Sequence, residues 1–69
     1  MTLGLPDAEL HRLRHDFRAP LTIVTGFAEV LAAERPISEV DRRDYAARIQ
    51  AAADEIGAML DSLLDEAPV

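Results

Sequence analysis

The chain has 69 residues, enough for one small domain that buries only about 60% of the surface its unfolded form exposes. It has no cysteine, which excludes a disulfide framework and any thiolate metal site. Thirteen acidic residues against seven basic ones, all arginine, give a net charge of −6, which excludes nucleic-acid binding through a basic surface. The longest mostly apolar stretch, Leu21 to Leu31, is cut by Thr22, Thr25, Gly26 and Glu29 and falls short of the ~20 residues that cross a bilayer. No positive region precedes an apolar run at the N-terminus, so no signal peptide is read there. These features point to a cytoplasmic segment that makes no membrane contact and is stabilised by a partner.

In chain order, a first helix is expected over about residues 7–34. Pro6 suits its first turn, and Asp7 and Glu9 favour the positive end of its dipole. Its apolar series is Leu10, Leu13, Phe17, Val24, Phe27 and Leu31. Pro20 falls inside this helix, where it costs about 3 kcal/mol and bends the axis; two helices, 7–18 and 20–34, are the alternative. Pro36 disfavours helical geometry at Arg35, so a turn is expected at about 34–37. Ser38 and Asp41 form a capping box that opens a second helix, about 38–66. Its series runs Tyr45, Ile49, Ala52 or Ala53, Ile56, Met59 or Leu60, and Leu63 with Leu64. Nowhere do apolar and polar residues alternate as in a strand. The fold class is all-α: an antiparallel two-helix hairpin in a single domain, 1–69.

The apolar face of the first helix is too wide for one neighbour. At about 100° per residue, Leu10, Phe17, Val24 and Leu31 lie within about 60° of Leu13, while Ile23 and Val30 extend the other side to about 260–280°. The arc covers nearly half the circumference, against the ~100° stripe one partner helix needs. Two hairpins joined as a four-helix bundle cover it, so a homodimer is expected. Its core is expected to draw on Phe17, Ile23, Val24, Phe27, Val30, Leu31, Ile49, Ile56, Leu60 and Leu63. The alternative is that a further domain of a longer chain covers the surplus.

His15 falls at about 200° on the same wheel, opposite the apolar centre, with His11, Arg18, Thr22, Gly26 and Glu29 on the outward face. An imidazole kept in water is largely neutral at cellular pH and offers one nucleophilic nitrogen. Asp16 follows directly, and a carboxylate that accepts the proton of one ring nitrogen frees the other to attack. Arg14 and Arg18 are suited to steady an arriving anion. Each residue also has an ordinary reading: a solvated histidine, an Arg12–Asp16 pair one turn apart, and arginines that keep the face soluble. His11 and His15 have the spacing of metal ligands, but no third ligand is evident and no metal is expected.

The string Leu13-Arg14-His15-Asp16-Phe17-Arg18-Ala19-Pro20-Leu21-Thr22, followed by Gly26-Phe27-Ala28-Glu29-Val30-Leu31, resembles the dimerisation and histidine-phosphotransfer domain of two-component sensor histidine kinases. The resemblance rests on the phosphoacceptor box, and the helical outline extends it to roughly 8–65. It implies that His15 is the phosphoacceptor and Asp16 the acid/base that activates it, with Arg18 and Pro20 shaping the site. Arg14, Arg18 and Thr22 then contact the phosphoryl group or a partner. It implies as partners a catalytic domain that holds ATP and Mg²⁺, and a response-regulator receiver whose aspartate takes the phosphoryl group. This chain holds no cofactor itself, because nothing in it resembles a glycine-rich nucleotide-binding box and no α/β pattern carries one. It is therefore expected to be either part of a longer kinase or a module phosphorylated by another protein. Ala19 stands where the family commonly has threonine or asparagine, so dephosphorylation of the regulator is not expected. A pure interaction module, a non-catalytic hairpin that dimerises or sequesters a partner, is the alternative.

Overall fold

The computed structural model describes residues 6–66, which form two helices, α1 (Asp7–Ala32) and α2 (Glu39–Glu66). The two pack antiparallel as a hairpin joined by residues 33–38. α1 is one continuous helix through Pro20 rather than two. It starts on Asp7, with the amide of Leu10 donating to the Pro6 carbonyl at 3.1 Å and acidic Asp7 and Glu9 in the first turn. It ends about two residues before the expected boundary. The Ala33 amide still donates to Glu29 and Val30, but Ala33 itself is extended, with ψ 146°. The reason is local: Arg35 precedes a proline and is excluded from helical geometry. The Arg35 amide donates instead to the Ala33 carbonyl at 2.9 Å in a tight turn.

Ser38 is the cap of α2 rather than its first residue. Its Oγ accepts from the Asp41 amide at 3.0 Å, and its carbonyl accepts from the Arg42 amide at 2.9 Å. Asp41 makes no reciprocal bond back, in keeping with a side chain one methylene shorter than glutamate. Further along α2, Arg42 and Arg43 pair with Glu39, and Arg48 Nε donates to Asp44 at 3.0 Å. All three pairs are exposed, so each is worth well under ~1 kcal/mol.

The seam between the helices is built from Leu10, Leu13, Phe17, Pro20, Val24, Phe27 and Leu31 of α1 and from Tyr45, Ile49, Ala52, Ile56, Met59 and Leu63 of α2. Where the sequence left a choice, Ala52 and Met59 face the seam while Ala53 and Leu60 turn out; of Leu63 and Leu64, both expected in the series, only Leu63 faces it. Near the turn, Phe27 and Tyr45 stack with centroids 5.2 Å apart, and the Arg48 guanidinium lies 5.7 Å above the Phe27 ring. Among the described residues only Pro20 and Ala52 are fully buried. Leu21, Ile23, Val30, Val40, Leu60 and Leu64 are exposed. Of the residues expected to form a shared core, Phe17, Val24, Phe27, Leu31, Ile49, Ile56 and Leu63 line the hairpin's own seam, and Ile23, Val30 and Leu60 lie outside it.

Ser38→Ala removes the cap of α2 without touching the seam. It is expected to lower stability by about 1 kcal/mol in urea unfolding followed by circular dichroism.

Candidate phosphoacceptor site

α1 sets the geometry of the site, because its seam residues fix which way every other side chain points. With Leu13, Phe17 and Pro20 turned toward α2, His15 is carried to the opposite side and is exposed. It borders a shallow, open depression with Asp7, Ala8, His11 and Arg12. The next stretch of the same outward surface is a second shallow groove, lined by Arg14, Arg18 and Thr22 together with Leu21, Thr25 and Glu29. Three of the expected partner-binding residues are thus brought together on one surface beside the histidine.

Asp16 points elsewhere. It borders a groove between the helices with Leu13, Glu55, Ala58, Met59 and Ser62. No hydrogen bond joins it to His15 or to Arg12, and the expected Arg12–Asp16 pair does not form. Adjacent helical side chains diverge by about 100°, which is why sequence neighbours here occupy different surfaces.

The local electrostatics oppose those of the whole chain. Between residues 12 and 18 there are three arginines, Arg12, Arg14 and Arg18, and one acid, Asp16, in a chain of net charge −6. All ion pairs among the described residues lie within α2, so these three guanidinium groups have no carboxylate partner. They give the histidine an anion-attracting setting. Among the described residues no three histidine, aspartate or glutamate side chains converge as metal ligands. None of their helices is long and apolar enough to cross a membrane.

Leu21 is the residue of this surface that the sequence reading left without a role. It is 50% exposed between arginines and threonines. Its wheel position, about 80° from Leu13, was the available signal, since it lies just beyond the arc that α2 covers.

The sequence model of the His Kinase A (phospho-acceptor) domain matches residues 7–68, nearly the whole chain. The chain belongs to that family. HisKA membership places it in two-component signalling by histidine kinases, and carries with it dimerisation and a kinase catalytic domain as partner. The chain matches no curated protein and no solved structure. The helical hairpin is what a HisKA four-helix bundle is made from.

If the unpaired guanidinium groups bind the incoming phosphoryl oxygens, the Arg14→Ala, Arg18→Ala double variant should be labelled at least about tenfold more slowly, each charge-assisted bond being worth about 1.5–3 kcal/mol. Initial rates of phosphoryl incorporation from a histidine-kinase catalytic domain and ATP measure this, and an unchanged rate assigns the arginines to solubility.

Proposed function

We propose that this HisKA domain is the phosphoacceptor and dimerisation module of a cytoplasmic two-component pathway, with His15 as the residue phosphorylated. The supporting observation is an exposed imidazole, held away from the seam on a helix and flanked by three unpaired arginines, inside a matched phospho-acceptor domain.

The chemistry runs as follows. A neutral His15 nitrogen attacks the γ-phosphorus of ATP held, with Mg²⁺, by a separate catalytic domain; an N–P bond forms and the bond to the bridging oxygen of ADP breaks. Asp16 takes the proton that leaves the other ring nitrogen. Neither side chain is held by a hydrogen bond, so both are free to change rotamer, and this step requires that change because the two side chains diverge on the helix. The aspartate of a receiver domain then attacks phosphorus, the N–P bond breaks, and the imidazole regains a proton. Arg14, Arg18 and Thr22 form the adjacent contact surface for phosphoryl oxygens or partner. Ala19, one turn after His15 and exposed, has no group to orient a water, so the module passes its phosphoryl group on without hydrolysing the receiver's acyl phosphate. The domain's contribution is position: an accessible nucleophile on a rigid support.

Incubation with a histidine-kinase catalytic domain, Mg²⁺ and labelled ATP should give acid-labile, alkali-stable label that is absent from His15→Ala and passes to an added receiver domain. Asp16→Asn should slow labelling about 10²-fold or more if it is the base. A chain that takes no label with any such kinase domain is the non-catalytic interaction module instead.

A further inference from the structure

Both histidines of the chain stand on one face of α1, a single turn apart. His11 and His15 border the same shallow depression, together with Ala8 and Arg12 and with Asp7 in the first turn. The two imidazoles are exposed, and among the described residues neither makes a hydrogen bond or an ion pair. Side chains four apart on a helix have Cβ atoms about 5–6 Å apart and lean the same way along the axis, so each ring can turn one nitrogen toward a common point. An ion there needs metal–nitrogen bonds of about 2.0–2.1 Å, within reach of ordinary rotamers on an open face. The same spacing lets two histidines of one helix hold zinc in metalloproteases.

Three converging side chains, absent among the described residues, are what a site with three or more protein ligands requires. Two imidazoles make an open chelate instead, with water in the remaining positions. The ligands select the ion: imidazole nitrogen suits copper, nickel and zinc, whereas Mg²⁺ and Ca²⁺ need oxygen ligands, and Asp7 is the one carboxylate bordering the depression. The surrounding charge selects in the same direction. Arg12 borders the depression and Arg14 and Arg18 the next groove, which repels an ion held mainly by its charge. An ion held by short coordination bonds meets only exposed, salt-screened guanidinium groups, and Asp7 offsets Arg12.

We propose that His11 and His15 chelate one divalent transition-metal ion of the copper, nickel and zinc class on the outer face of α1. A neutral imidazole has one nitrogen lone pair to give, and a bound metal takes it whichever nitrogen is used. Metal occupancy and phosphorylation of His15 therefore exclude each other. That consequence rests on the proposed function; the chelate itself does not.

Calorimetric titration of the 69-residue chain with Cu²⁺, the strongest binder of the series, should show one ion per chain, and Mg²⁺ should give no heat. Electron paramagnetic resonance of the copper complex should show two coordinated imidazole nitrogens. His11→Ala and His15→Ala should each weaken binding at least about tenfold and leave a single nitrogen, and the chain has no cysteine or further histidine to substitute for the lost ligand. Both positions are exposed on a helix and alanine favours helix, so circular dichroism should show both variants folded. One ion per two chains, a single nitrogen in the parent, or an affinity of either variant within about threefold of the parent overturns the chelate. With a histidine-kinase catalytic domain and ATP, parent chain preloaded with Cu²⁺ should take no label, while His11→Ala treated alike should be labelled as it is without metal. Labelling of the parent with the site filled overturns the mutual exclusion. A chain that binds copper as described but takes no label without it defeats the proposed function and leaves the chelate standing.

Discussion

The seam between α1 and α2 holds the molecule together, and it is one side chain deep. Two cylinders in contact enclose nothing: each seam residue touches the other helix on one side and water on the next, which is why only Pro20 and Ala52 are fully buried among the described residues. The rest of the structure follows from that shortage. Stability has to be gathered at the edges, through the Ser38 cap and the Phe27–Tyr45–Arg48 stack near the turn, and then completed by another surface. The geometry of a hairpin calls for such a surface before any signalling role is considered, and the dimerisation that the family carries is one way to supply it.

The same thinness gives the site its character. A side chain on the far side of α1 from the seam has nothing to bury it, so His15 stands in water without any dedicated device. What distinguishes it from an ordinary surface histidine is its company. Glu39 and Asp44 pair with the arginines of α2, and among the described residues the three arginines around His15 have no carboxylate partner. An acidic protein thereby presents a locally cationic patch around His15, which suits the proposed transfer of a group that carries several negative charges.

Periodicity made most of this legible before any coordinates. The two helices, the hairpin, the Ser38 cap and the outward placement of His15 all follow from spacing, because a seam of apolar residues at every third or fourth place fixes the phase of every neighbour. Three things were not legible. The end of α1 depends on how the Arg35 amide is satisfied, which is a matter of turn geometry. The separation of Asp16 from His15 follows from helical phase, but which groove receives Asp16 depends on where α2 lies. The placement of Ile23, Val30 and Leu60 outside the seam was hidden because a single-helix wheel shows the width of an arc and not which part of it a second helix covers.

Pro20 is the most deeply buried side chain and also lacks an amide proton. The backbone carbonyl four residues earlier, that of Asp16, therefore has no helical donor, and it lies one residue after His15. Along α1 this is the one interior step where the rod can flex without rupturing a backbone bond, and it is clamped against α2 at the pivot. A twist or tilt applied to the N-terminal turns would concentrate there and reorient His15, while the rest of the hairpin kept its packing. Mechanical displacement thus has a built-in fulcrum beside His15.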